Sequence, residues 1–289
     1  MNLWNIKSHG SRLTNVLLAI FNFSFLIFNC GHAAAHPPLG IAYVDADHLY
    51  DTLPAPFYDD TDYTPAGRLR WSAERYRRKI AQTAALLDSM ALPLVGVWSV
   101  ENEAVVRDLA AACRGDYVYL HRTLNSLDGM DFALLYYGDR FYPHYAEPGL
   151  RYLYVEGLLR HGKRRDTVGL VLCSDPRMAE WVVRDLRQER PGTKLVVMGR
   201  IPAGTLEACG LRDASARAER AGRGNIRRSR GWAMRDRILL DTALRASDAE
   251  VFARRWLLDP ATGSPLATYE KGLYRGGPGY ALPVYVYIE

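Results

Sequence analysis

Short apolar runs, most of them β-branched and each bounded by turn residues, recur along this chain and restrict it to a strand-rich mixed fold. Gly40-Ile41-Ala42-Tyr43-Val44, Leu92 to Trp98, Tyr117 to His121, Phe132 to Tyr137, Lys194 to Met198, Ile238 to Leu240 and Val284 to Ile288 read as strands. Leu153 to Leu159 and Thr167 to Cys173 flank His161-Gly162 and read as a hairpin. Helical periodicity is confined to three stretches. Ile80, Ala84, Leu87 and Met90 recur after Ser72, a capping residue with Arg75 three positions on. Glu103 to Cys113 puts Val106, Leu109 and Ala110 on one face, and Met178 to Glu189 is amphipathic. Many strands, few helices and long loops predict a two-layer α/β sandwich. The 289 residues, 48% of them hydrophobic, suffice for one large domain of roughly 250 residues, and no repeat or linker divides them.

The N-terminus has a different character. Lys7 and Arg12 precede an apolar run from Val16 to Phe28, which is shorter than the span of about 20 residues a membrane helix needs. Ala33-Ala34-Ala35 follows as a small-residue cleavage site. Residues 1–35 therefore read as a secretory leader and 36–289 as the domain, which predicts an exported protein of the periplasm, cell envelope or exterior. Lipid attachment at Cys30 is the other processing route, although Asn29 before it is a poor match. An uncleaved anchor is the third reading. Net charge is +5, falling to about +3 without Lys7 and Arg12, a mild bias that does not specify nucleic acid. Cys113, Cys173 and Cys209 remain after the leader, so at most one disulfide can form, and no Cys/His spacing suits zinc. Apolar surroundings mark Cys113 and Cys173 as buried thiols.

Six segments in order then resemble one family. They are Val44-Asp45-Ala46-Asp47-His48-Leu49-Tyr50-Asp51; Asp59-Asp60 through Gly67 with Trp71 and Glu74-Arg75-Tyr76; Val95 to Asn102; Gly129 to Tyr136; Trp232 to Leu239 with Asp236; and Thr268-Tyr269 through the tail Gly276-Gly277-Pro278-Gly279-Tyr280-Ala281-Leu282-Pro283-Val284. The chain resembles the secreted bacterial branch of the endonuclease/exonuclease/phosphatase family, the DNase I-like phosphodiesterases. The resemblance implies a four-layer α/β/β/α sandwich with its site at one end of the paired sheets. It also implies a carboxylate cluster for Mg²⁺ or Mn²⁺, a His–Asp pair at the phosphate and an Asp that activates water.

At most of those positions the sequence departs from the family. Asp45 and Asp47 keep oxygen ligands at the first motif. Ser99 falls where the family's metal-binding Glu stands, with Glu101 two residues on and so on the same face of a strand, a compensating register. Cys173-Ser174-Asp175-Pro176 lacks the family's middle histidine. Arg200 and Pro202 replace an acid and an amide, and Tyr280-Ala281 replaces the terminal Asp-His. Asp131 and Asp236 are kept. Removing one catalytic group costs on the order of 10²–10⁴ in rate, so the combination predicts a pseudoenzyme that binds or scaffolds, with a protein partner at the envelope and no cofactor. An active divergent phosphodiesterase would have to place its metal on Asp45, Asp47 and Glu101.

A third reading, a non-cleaving nucleic-acid binder, rests on Arg212 to Arg237, with nine arginines against Asp213, Glu219 and Asp236. A solvated flexible loop is the plainer expectation for that segment. His48, His121, His144 and His161 are expected at the surface, with Asp47, His48 and Asp51 as a possible polar group. Tyr50, Tyr58, Tyr63 and Tyr76 are expected near the site mouth, either as a stacking surface or as core that plugs it.

Overall fold

The computed structural model describes residues 39–124 and 126–289; the expected leader, with Cys30 and the Ala33–Ala35 cleavage site, lies outside them. Two six-stranded sheets form the centre. The first contains β1 (Leu39–Leu49), β2 (Leu94–Val100), β3 (Val118–Arg122), β4 (Asp131–Tyr136), β13 (Glu250–Val251) and β16 (Val284–Ile288), in the order β13-β16-β1-β2-β4-β3. The second contains β5 (Phe141–Gly149), β6 (Tyr152–His161), β7 (Arg164–Cys173), β8 (Lys194–Arg200), β9 (Leu211–Asp213) and β12 (Asp236–Asp241), in the order β5-β6-β7-β8-β12-β9. Two small hairpins, β10 (Ile226–Arg228) with β11 (Gly231–Ala233) and β14 (Tyr269–Glu270) with β15 (Leu273–Tyr274), lie outside both sheets.

Strand faces explain the layering. Alternate residues of each sheet face inward, so Ile41, Tyr43, Leu94, Phe132 and Leu134 of the first meet Leu153, Val155, Leu170, Leu172, Val196 and Met198 of the second. The opposite face of the first sheet packs on α1 (Ala73–Met90) and α2 (Glu103–Ala112) through Val95, Val97, Ile80, Leu87 and Leu109. The opposite face of the second packs on α3 (Pro176–Glu189) through Val171, Val197, Val182 and Leu186. The result is the α/β/β/α sandwich that the resemblance implies, four layers where the pattern of strands and helices alone suggested two. Each fully buried Leu, Ile or Val contributes roughly 1.5–3 kcal/mol through area removed from water, so three such interfaces hold the layers.

Local chemistry sets the boundaries. Ser72 Oγ accepts the Arg75 N–H at 3.3 Å and starts α1, and Asn102 Oδ1 accepts the Val105 N–H at 3.0 Å to start α2. The hairpin around His161-Gly162 is present, with β6 and β7 antiparallel from Tyr152↔Cys173 to His161↔Arg164. Gly199, at φ 131°, lets β8 approach β7 so closely that a Cβ there would stand 1.9 Å from the Cys173 carbonyl oxygen.

Three expectations are corrected. The Arg212–Arg237 segment is not a bare loop: it contains the short helix α4 (Ala216–Arg220), β10 and β11, and several of its arginines are drawn into ion pairs. Arg212 and Arg217 hold Asp248, Arg223 holds Glu250, and the buried Arg237 bridges Asp213 and Glu219. Cys173 is buried but Cys113 is only half-buried, its thiol donating to the Leu109 carbonyl at 3.3 Å. His121 is not at the surface: its side chain is 7% exposed, with Nε2 2.9 Å from Asp131 Oδ2.

Candidate functional site

The site begins where β1 and β2 break register. β1 bulges between Asp45 and Leu49, with Asp47 and His48 at φ 52° and 59°. β2 bulges between Trp98 and Val100, with Ser99 at φ 71°. The His48 N–H donates to Ser99 Oγ at 2.9 Å and ties the two bulges together. The break also cancels the i, i+2 argument for Glu101. Glu101 lies beyond β2 and turns away from Asp45, accepting the Asp51 N–H and the Tyr58 hydroxyl at 2.5 and 2.8 Å.

Asp45 lies buried beneath the cleft, and an arginine already occupies its ionic partner position. Arg235 Nη2 lies 2.8 Å from Asp45 Oδ2. The same guanidinium grips Asp236 in a fork, Nε to Oδ1 at 2.9 Å and Nη2 to Oδ2 at 2.5 Å. Asn225 Nδ2 donates to Asp236 Oδ2 at 2.7 Å and holds the acid in register. Both carboxylates are almost fully covered, each side chain 2% exposed. Burial works against the Arg235 charge, but Asp236 and Asp45 outweigh it and raise its pKa further above the ordinary arginine value. Tyr280 closes the other side: its hydroxyl donates to Asp45 Oδ2 at 3.2 Å, and its ring lies under the Arg235 guanidinium, 4.6 Å to the centroid. Arg200 Nη2 donates to the Tyr280 hydroxyl at 2.8 Å. Asp236, Arg235, Asp45, Tyr280 and Arg200 thus form one chain of contacts.

Asp47 belongs to a second group. Its Oδ2 accepts the Thr268 N–H at 2.9 Å, and His48 Nδ1 lies 3.4 Å from Oδ1. Burial opposes its charge, yet His48, the Lys79 ammonium and Thr268 hold its pKa down at about 2. Lys79, on the buried face of α1, bonds the Thr268 hydroxyl, the Pro278 carbonyl at 2.8 Å and the Asp47 carbonyl at 3.4 Å. Burial lowers the Lys79 pKa to about 8, against the pull of Asp47 and Asp45.

Glu101 and Asp131 stand apart, in the lining of a separate cavity of about 640 Å³ with Asp51, Tyr58 and Leu127. Asp51 bonds Asn102 there at 3.0 Å, so Asp47, His48 and Asp51 do not form one polar group. Of the remaining predicted positions, Ser99 and Asp175 line the cleft, Ala281 is buried and Pro202 is exposed. His48 lines the cleft as well, with 44% of its side chain exposed. The tyrosines at the mouth act as core: Tyr50 and Tyr63 lie 4.2 Å apart, and Tyr63 meets Trp71 and Tyr269 edge-on at 6.2 Å each.

These donors fit a divalent cation poorly. Asp45 Oδ2 takes Arg235 and Tyr280, and its Oδ1 takes the Asp47 N–H at 3.0 Å. A metal ion would have to displace a guanidinium held by two buried carboxylates. No three acidic, His or Cys side chains among the described residues are grouped to hold one.

Glu101 offers a pH test. Burial raises its pKa from 4.5 to about 7, although the Asp51 N–H and Tyr58 hydroxyl favour the anion. The folded protein therefore holds a proton that the unfolded chain has released, and the stability this provides is complete below about pH 4.5 and lost by about pH 7. Glu101→Gln is expected to flatten the fall in Tm across that window. An unchanged slope in thermal melts would show that Glu101 is not the group.

Arg235 and Lys79 were not marked by sequence motifs. Arg235 neighbours Asp236, a family position, and Lys79 is a charge on the helix face that continues through the apolar Ile80, Ala84, Leu87 and Met90. Those are the two signals from which they could have been found.

Residues 40–154 match the model of the Endonuclease/Exonuclease/phosphatase family. Among solved structures, an endonuclease/exonuclease/phosphatase family protein from Bacteroides thetaiotaomicron is similar with a TM-score of 0.57 at 14% identity, covering 88% of this chain and 98% of that one. A mannosyl-6-phosphatase of the same organism gives 0.56 at 13%, covering 87% and 99%. Danio rerio TDP2, solved with a single-strand DNA product, gives 0.52 at 12%, covering 88% and 99%. No curated protein matches the sequence. Fold and sequence match agree: the chain has the fold of the endonuclease/exonuclease/phosphatase structures, and its residues 40–154 resemble that family in sequence.

Proposed function

We propose that this chain is an exported, envelope-associated member of the fold that binds or scaffolds rather than cleaves. The observation that carries the reading is Arg235, seated between Asp45 and Asp236 where a phosphodiesterase of this fold needs a free carboxylate for metal. Ser99 adds a neutral hydroxyl already bonded to His48, and a hydroxyl is a weak ligand for a hard cation beside a carboxylate. Ser174 and Asp175 line the cleft where the family's middle histidine is expected, so that position supplies no imidazole, and the cleft's own imidazole, His48, sits beside Asp47 on β1. The alternative metal set does not gather, because Glu101 serves Tyr58 and Asp51 in another cavity. Export rests on the apolar leader of the sequence.

The test is direct. The mature protein, incubated with Mg²⁺ or Mn²⁺, is expected to show no turnover of a nitrophenyl phosphomonoester, a phosphodiester, DNA or RNA above a metal-free control. Neither ion should raise its Tm, as it would through linkage if bound to the folded state. Metal-dependent turnover abolished by Asp45→Asn would overturn the proposal.

A further inference from the structure

Two cavities meet in the cleft, of about 610 and 550 Å³, and share Arg200 and Tyr280 as their common wall. The larger opens between β10 and the segment from Asp259 to Arg275. Its lining carries Arg200, Arg227, Arg228, Arg235, Lys271 and Arg275 against two carboxylates, Asp259 and Glu270. Arg275 is held by both acids. Arg227, Arg228 and Lys271 are exposed, and Arg227 lies over the Trp232 ring, 5.5 Å from its centroid, rather than against a carboxylate. Uncompensated positive charge is therefore concentrated in one concave place.

The hydrogen-bond inventory points the same way. Arg235 Nη1 and Arg200 Nε are covered donors for which the protein supplies no acceptor. An arginine guanidinium is a planar fork suited to the oxygens of an oxyanion and remains charged at any ordinary pH. Arg200 is held only by the Tyr280 hydroxyl among neutral partners, with Asp45 at 4.0 Å, and 39% of its side chain is exposed. Its guanidinium can turn toward a ligand without leaving the wall. The cavity lies within the roughly 300–1,000 Å³ typical of small-molecule sites, and Tyr280 limits its length.

We infer that this cavity is a metal-independent site for the oxyanion of a small ester, a phosphate or sulfate monoester, gripped by Arg200 and Arg228 beside the Tyr280 ring. The inference rests on the reading of the cleft as a binding site without hydrolysis and names its ligand class. Where a metallophosphoesterase neutralises the anion with a bound ion, fixed guanidinium groups would do so here. Arg235, anchored by Asp45 and Asp236, supplies the field, while Arg200 and Arg228 supply the contacts.

Calorimetric titration of the mature protein in EDTA at low salt tests this. The probes are inorganic phosphate, sulfate, glucose 6-phosphate, glucose 6-sulfate, glucose and a short oligonucleotide. The free anions and at least one sugar ester are expected to bind while glucose does not, and the ratio between the two esters identifies the source of the oxyanion. Arg200→Gln and Arg228→Gln, which leave the Arg235 ion pairs with Asp45 and Asp236 intact, are each expected to weaken binding about tenfold or more, the equivalent of one charge-assisted hydrogen bond. Binding that requires Mg²⁺, binding only of the oligonucleotide, equal binding by both variants once their melting curves show them folded, or no binding would each overturn the site. Hydrolysis of a bound ester would overturn the non-catalytic reading while leaving the site standing. An absence of both binding and hydrolysis would remove the site and leave that reading intact.

Discussion

Arg235→Ala is expected to destabilise the protein by about 3–5 kcal/mol, because it strands two buried carboxylates without their cation. Asp45 and Asp236 are each 2% exposed in their side chains, so water cannot take over from the guanidinium. In a domain of this size each kcal/mol moves Tm by roughly 2–4 °C, giving a fall on the order of 10 °C. Arg235→Lys should recover only part of this, since an ammonium cannot make the fork to Asp236 and reach Asp45 together. Replacing all three groups at once, Asp45→Asn and Asp236→Asn with Arg235→Met, should cost less than Arg235→Ala alone, because no unpaired charge remains buried. Mg²⁺ added to the Arg235→Ala protein, though not to the parent, should raise Tm by binding the freed acids. A Tm within about 2 °C of the parent in the alanine variant, on the same scale of roughly 2–4 °C per kcal/mol, would show that this ion pair is not what fills the cleft.

Trp71→Ala is the second large loss, about 3–5 kcal/mol. Trp71 is fully buried and its Nε1 donates to the Tyr50 carbonyl at 3.0 Å. Its ring also supports Tyr63 and Tyr269, 6.2 and 6.0 Å away. Truncation therefore removes a large apolar volume and leaves a covered carbonyl without a donor. Trp71→Phe keeps most of the volume and loses the hydrogen bond, so about 1–2 kcal/mol is expected. Urea unfolding followed by circular dichroism measures both. If Trp71→Ala cost less than about 1 kcal/mol, well under the usual range for a buried Trp, the aromatic cluster would not be closing the cleft mouth.

The fold was legible because its signals are local and repeated. Ile41 and Tyr43 on β1, or Leu170 and Leu172 on β7, announce an inward face by alternation alone. β5 was not legible: Tyr142, Tyr145 and Glu147 are exposed on a strand at the sheet edge, and two prolines interrupt its pattern. In the site, Asp45, Arg200, Tyr280 and Asp236 were placed together by the order of the family-like segments. Arg235 was not, because a charge's partner is chosen by tertiary approach, here between residues 190 positions apart. Glu101 was misplaced for a backbone reason: the bulge at Ser99 breaks the two-residue period on which a shared face depends. His121 failed the surface expectation because Asp131, ten residues on, gives its ring a buried partner.

The paired bulges have a consequence for how such a protein can change. Ser99 sits at φ 71° with its hydroxyl committed to the His48 N–H. A longer acidic side chain at that position would break the tie between two strands before it could reach any ion, and it would add a third carboxylate to a neighbourhood whose cation is already shared. Placing an acid there alone would therefore lower stability, and compensating changes at His48 and around Arg235 would have to accompany it.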